Sequence, residues 1–263
     1  MSFNEITISK EIIKAYESKL LDCIESDVLI AGAGPSGLVA GYYLAKAGVK
    51  TTIIEKRLST GGGIWGGGMA MNEVILQEKA AEMAREFGVR LKPSQSEGLY
   101  CVDSVELASA LTLCAVQNGV NIFNLMCVED VCVKDKKITG LVVNRTTILG
   151  SLPVDPIMFK SRAVLDATGH EAAVVQAVRK HGYKIFSTTG QLLGEGAMDA
   201  PSGEKFVEER SGEVFRGLFV SGMAVCAVYG GPRMGPIFGG MLLSGKKIAA
   251  LIDEYLKSPN HKE

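Results

Sequence analysis

The 263-residue chain has almost no net charge, no CxxC spacing among its cysteines and no long uninterrupted apolar run. Each lack excludes a class of protein. Lys and Arg number 28 against 29 Asp and Glu, a net charge of −1, so no nucleic-acid or anionic membrane partner is expected. No stretch reaches the roughly 20 apolar residues that a membrane-crossing helix needs. The six cysteines, Cys23, Cys101, Cys114, Cys127, Cys132 and Cys226, lack the paired spacing of a zinc or thioredoxin-type centre. Most sit among apolar residues, as in Leu125-Met126-Cys127-Val128, and read as free buried thiols in a reducing cytoplasm. Internal repeats and low-complexity linkers are also missing. In residues 1–21, Ile12, Ile13, Tyr16 and Leu20 recur at helical spacing, which predicts an amphipathic helix without the apolar core of a signal peptide.

What is present is concentrated in Val28-Leu29-Ile30-Ala31-Gly32-Ala33-Gly34-Pro35-Ser36-Gly37, followed by Thr51-Thr52-Ile53-Ile54-Glu55. The pattern is a buried strand, a glycine turn, a helix, a second strand and a terminal carboxylate. Gly32 suits the tight turn, Gly34 lets backbone approach a pyrophosphate, and Gly37 lets the helix pack close to the strand. The N-terminus of the helix, at Ser36, offers unpaired N–H groups to phosphates. Glu55 lies 18 residues past Gly37, where a carboxylate can accept ribose hydroxyls and repel a 2′-phosphate.

The remaining pattern predicts helices over 74–87, 104–118 and 239–256. Strands are expected over 121–134, 137–144, 162–167 and 217–222, with a turn at Asp135-Lys136. The strands at 28, 51 and 217 are expected side by side. The expected fold class is α/β: an FAD/NAD(P)-binding Rossmann-like, three-layer fold with a central parallel sheet and an inserted β-meander. Residues 1–263 are read as a single dinucleotide-binding domain with an N-terminal helix and an internal insertion.

Three further constellations could carry chemistry. Residues 61–68 hold six glycines in eight positions, which suits either a connector or a backbone cradle around Gly63 for a phosphate or ribose. Asp155, stiffened by Pro153 and Pro156, and His170, just past a buried strand, could hold Fe(II) or a similar divalent ion; a hydrogen-bonded structural histidine is the plainer reading. Arg233, in Gly231-Pro232-Arg233-Met234-Gly235-Pro236, could clamp a substrate carboxylate or be an ordinary loop arginine, and the helix start after it offers further N–H donors. His181 and His261 read as helix-end and tail residues.

In this order, the glycine turn, Gly61-Gly62-Gly63, Val154-Asp155-Pro156, Thr168-Gly169-His170 and Arg233-Met234-Gly235-Pro236-Ile237-Phe238-Gly239-Gly240-Met241 resemble the thiamine thiazole synthase family. The resemblance runs from about Asp22 to Ile252 and is nearer the archaeal, iron- and sulfide-using type. It implies that NAD is consumed as a substrate and condenses with glycine and sulfur to an adenylated thiazole carboxylate. It also implies that Ser36, Glu55, Lys56, Gly63, Val128 and Met223 contact the nucleotide, and that Arg233 binds the glycine carboxylate. Asp155 and His170 would hold Fe(II) from neighbouring subunits of a homo-octamer.

One position departs from the family pattern. Plant and fungal members carry a sulfur-donating cysteine two residues before the loop aspartate, and archaeal members commonly carry histidine. Here that residue is Pro153. A proline has no sulfur to give, so free sulfide is the expected source. The competing readings are an FAD- or NAD-dependent oxidoreductase, a ribose-1,5-bisphosphate isomerase, and a nucleotide- or thiazole-binding protein without turnover. The absence of a Lys/Arg cluster for two phosphates speaks against the isomerase.

Overall fold

Asn4 caps the first helix, α1 (Glu5–Cys23), by accepting the Thr7 N–H at 2.9 Å. The computed structural model describes residues 3–148 and 154–258. Helix α1 leads directly into β1 (Glu25–Ala31), whose run of Val28, Leu29 and Ile30 is buried on both faces. The fingerprint folds as the sequence predicts, with helix α2 (Pro35–Lys46) and strand β2 (Thr51–Ile54) after β1. The glycine run that follows contains one short 3-10 turn, Ile64–Gly66.

Residues 74–87 are not one helix. Val74 and Leu76 belong to β3 (Glu73–Gln77), and only α3 (Glu78–Glu86) is helical. The alternation of buried Val74 and Leu76 with more exposed neighbours is a period of two, which pairs β3 with β5 (Leu99–Asp103) across from β4 (Lys92–Pro93). Helix α4 (Ser104–Gln117) starts where Asp103 accepts the Glu106 N–H at 2.8 Å.

The expected strand over 121–134 is two strands, β6 (Asn121–Phe123) and β7 (Met126–Lys134). Leu125 sits between them with φ of 57°, a left-handed kink at the break between the two strands. Strand β8 (Lys137–Arg145) returns antiparallel to β7 through Asp135 and Lys136, both at positive φ, as the tight hairpin turn requires.

Strand β9 (Ile157–Asp166) serves two neighbourhoods. Its first residues pair antiparallel with β8, and Lys160–Asp166 pair parallel with β1. Beyond it come α5 (Ala173–Lys180), β10 (Gly196–Met198), α6 (Ala200–Arg210), β11 (Gly212–Phe215) and β12 (Leu218–Val220). They are followed by α7 (Met223–Tyr229), β13 (Pro232–Arg233) and α8 (Gly239–Lys257).

The main sheet runs β11-β12-β9-β1-β2-β6, with β8 and β7 attached through β9. It is mixed: β12, β9, β1, β2 and β6 are parallel, whereas β11, β8 and β7 run antiparallel to their neighbours. The strands at 28 and 217 share this sheet but do not touch, because β9 lies between them. Val28 and Ile30 face the layer built by α2, α3, α4 and α8, while Leu29 and Ala31 face the meander, α5 and α7. Full burial of a Leu or Ile contributes about 1.5–3 kcal/mol, so this two-sided core sets where the carboxyl ends of β1, β2 and β9 point. Among the described residues no helix is long and apolar enough to cross a membrane.

Candidate functional site

The carboxyl ends of β1, β2 and β9 open into a cavity of about 680 Å³, within the size range of small-molecule sites. The fingerprint turn forms part of its wall. Gly32 has φ of +99°, and a Cβ there would lie 2.5 Å from the Ala167 carbonyl oxygen. Side chains are thus excluded by both conformation and the neighbouring strand. A Cβ on Gly37 would come within 2.1 Å of the Gly32 carbonyl oxygen, so this glycine serves helix–strand packing and does not itself line the cavity. Gly34 does line it, and among the described residues no atom beyond Gly34 and its two chain neighbours lies within 4 Å of where its Cβ would be. Helix α2 has no side-chain cap at Gly34, so its first N–H groups are left for a ligand.

Glu55 is buried beside this turn. Its Oε2 accepts the Ala33 N–H at 2.7 Å and its Oε1 the Arg57 N–H at 2.8 Å. A carboxylate has about four acceptor positions, so each oxygen keeps capacity toward the cavity it lines. Gly61 donates to the Ala33 carbonyl at 2.7 Å, which draws the glycine run against the fingerprint, and Gly63 lines the same cavity. Ser36, Lys56, Val128 and Met223 also line it. Lys56 Nζ lies 2.7 Å from both carboxylate oxygens of Glu171.

The segment carrying His170 is organised by Asp166, the fully buried last residue of β9. Its Oδ1 accepts the Thr168 N–H and hydroxyl at 3.0 and 2.7 Å, and its Oδ2 accepts the Val174 and Val175 N–H groups at 2.9 and 3.0 Å. That caps α5 and leaves the Gly169–Glu171 turn projecting into the cavity. His170 Nδ1 lies 2.5 Å from Glu195 Oε1, and Arg233 Nε lies 3.6 Å from Glu195 Oε2. His170 and Arg233 both line the cavity. Asp155 is exposed and does not line it, and Pro153 and His261 lie outside the described residues. Among the described residues no group of three or more His, Cys, Asp or Glu side chains is placed to hold a metal.

The start of α8 offers fewer donors than expected. Gly240 N–H donates to Glu204 Oε2 at 2.7 Å. Burial pushes the Glu204 carboxyl up to about 7, against the opposing bond from the Gly240 N–H. The cysteines are free, but only Cys23 and Cys226 are buried; Cys127 is half-buried and lines the cavity. Burial raises the Cys127 thiol, which keeps it protonated at neutral pH. His181 stands at the end of α5, as expected, and pairs with Asp130 at 2.7 Å.

Sequence reasoning missed Glu195, Glu171 and Cys127. The one available signal was the Gly194-Glu195-Gly196 triplet, a lone charge between glycines in a polar stretch.

The parallel strands, glycine elbow and terminal carboxylate define an FAD/NAD(P)-binding Rossmann-like protein. L-proline dehydrogenase from Pyrococcus horikoshii shares that fold, with a TM-score of 0.58 over 88% of this chain and 94% of its own at 12% identity. Residues 9–238 match the Thi4 family. The chain is 49% identical to a thiamine thiazole synthase of Methanothermobacter thermautotrophicus over 98% of this chain and 100% of that one. It is 48% identical to a thiamine thiazole synthase of P. horikoshii over 97% and 99% of the two chains. The crystal structure of Thermovibrio ammonificans THI4 superimposes with a TM-score of 0.95, covering 98% and 100% at 46% identity. The chain belongs to the Thi4 family, that of the thiamine thiazole synthases.

Proposed function

We propose that this chain takes NAD as a substrate and, with glycine, free sulfide and Fe(II), builds an adenylated thiazole carboxylate, a precursor of thiamine. The observation that carries this is the lining of one cavity by two sets of groups: a nucleotide elbow with its carboxylate, and an imidazole and a guanidinium. A protein that only bound a dinucleotide would need the first set alone.

In this reading the N–H groups at the start of α2 receive the pyrophosphate, and Glu55 takes the ribose hydroxyls while disfavouring the 2′-phosphate of NADP. Lys56, Gly63, Val128 and Met223 complete the nucleotide surface. Arg233, whose terminal nitrogens make no bond among the described residues, grips the glycine carboxylate with two parallel hydrogen bonds. His170 fits a divalent ion: its Nδ1 is taken by a carboxylate, the usual support of a metal-bound imidazole, and its Nε2 is unbonded among the described residues. Asp155 stands away from this cavity and reaches the imidazole of a neighbouring copy in a homo-octamer. When bound, Fe(II) supplies a Lewis acid and a docking point for sulfide.

Sulfur comes from outside the chain. Pro153 carries none, and the protonated Cys127 thiol is a poor donor. No side chain is consumed, so the enzyme turns over many times. Six unpaired cysteines accord with a reducing cytoplasm. The test is anaerobic incubation with NAD, glycine, sulfide and Fe(II), followed by mass spectrometry. An adenylated thiazole that forms only with all four supports the reading; its absence under those conditions refutes it.

A further inference from the structure

Glu195 touches two of the side chains on which the proposed reaction depends, one with each carboxylate oxygen. It is the sheltered member of the trio: its side chain is 17% exposed, against 57% for His170 and 59% for Arg233. Neither His170 nor Arg233 has another side-chain hydrogen bond or ion pair among the described residues. Without Glu195, both are exposed chains free to rotate.

The backbone holds Glu195 from both sides. Gly194 N–H donates to the Ala227 carbonyl at 3.0 Å, and Gly196 N–H donates to the Gly231 carbonyl at 2.8 Å. Strand β10, which begins at the next residue, pairs with β13 in the register Gly196 to Pro232 and Met198 to Arg233. The backbone that carries Glu195 is therefore fixed between the His170 turn and the Arg233 strand by bonds that do not use its side chain. A support built this way is preorganised before any ligand arrives.

Resting on the function proposed above, we propose that Glu195 is a positioning residue that orients the metal-binding imidazole of His170 and the carboxylate-binding guanidinium of Arg233 as one unit. An ionised carboxylate can only accept, so the ring proton is kept on Nδ1 and the Nε2 lone pair is left for the metal. The other oxygen faces Nε of Arg233, which leaves the terminal nitrogens for a bidentate grip on an amino-acid carboxylate. The metal ligand and the substrate clamp thus share one anchor.

The experiment uses the full-length protein, with Co(II) titrated anaerobically by its visible absorption and ADP-ribose binding measured by calorimetry. H170A serves as the control for the site. Glu195→Ala should weaken Co(II) binding by about 10- to 100-fold and raise the KM for glycine, with ADP-ribose affinity within about twofold of the parent. Glu195→Gln, which keeps an acceptor for the Nδ1 proton, should retain more of the Co(II) affinity than Glu195→Ala. Unchanged Co(II) and glycine behaviour in both variants overturns the proposal. Loss of ADP-ribose binding in both variants also overturns it, since Glu195 would then be a structural residue. If the parent binds no Co(II), or H170A binds it equally well, the reading of the site itself fails, and the Glu195 inference falls with it.

Discussion

The Ala33 N–H donates to Oε2 of Glu55 at 2.7 Å, joining the fingerprint turn to the end of the neighbouring strand. The carboxylate that would bind ribose is thus also a structural acceptor, shared with the Arg57 N–H. Glu55→Ala should therefore act twice. Two N–H groups lose their acceptor, which costs about 1–3 kcal/mol of stability. ADP-ribose affinity should also fall, by about 10-fold or more, since charged hydrogen bonds contribute about 1.5–3 kcal/mol. Urea unfolding and calorimetry measure the two effects separately, and an unchanged affinity would remove Glu55 from the nucleotide site.

Gly37 is a packing residue on this structure. A Cβ there would sit 2.1 Å from the Gly32 carbonyl oxygen, which belongs to backbone and cannot move aside cheaply. Gly37→Ala should lower stability by about 1–3 kcal/mol through overpacking and loosen nucleotide binding by displacing the turn. Thermal unfolding of the variant checks the first part, and full parental stability would show that α2 can shift without cost.

Asp166 should matter to His170 although it lies outside the cavity. Asp166→Asn replaces an acceptor-only group with one that points an NH2 at N–H donors of α5 or at Thr168. The expected loss is about 2–4 kcal/mol, since several buried bonds fail together. Metal titration of the folded variant should show weaker Co(II) binding with ADP-ribose binding less affected.

Glu204 gives a pH signature. Its carboxyl ordinarily titrates at 4.5 and is pushed up to about 7 by burial. Glu204 Oε1 is buried without a hydrogen-bond partner among the described residues, so nothing at that oxygen offsets the cost of burying the charged form. Below 4.5 the group is protonated in folded and unfolded chains alike, and its contribution is fully present. As pH rises from there through about 7 the unfolded chain ionises first and stability is lost, on the order of 3 kcal/mol. Glu204→Gln removes that dependence, so its advantage over the parent should grow between pH of about 4.5 and about 8. Parallel pH profiles of unfolding in the two proteins would refute this.

Much of the fold was readable because the determinants are local. The elbow from Val28 to Gly37, the Asp103 cap of α4 and the hairpin turn at Asp135-Lys136 each depend on residues a few positions apart. The misreadings came where local pattern is ambiguous. Val74 and Leu76 fit a helix spaced with Ala80 and Met83 as well as a strand, and only pairing with β5 decides between them. The break at Leu125 rests on one left-handed residue with no glycine to announce it.

The sequence by itself determined that a dinucleotide-type elbow exists, where its carboxylate falls, and which histidine and arginine are candidates for chemistry. Glycine sterics, helix caps and hydrophobic runs act over short chain distances, so their effects are written in neighbouring residues. Only the tertiary structure decided that β9 lies between β1 and β12, and that Glu195 meets both His170 and Arg233. Those meetings require β10 to pair with β13 and β9 to deliver His170 beside them, contacts between distant segments that are set by burial of a shared core.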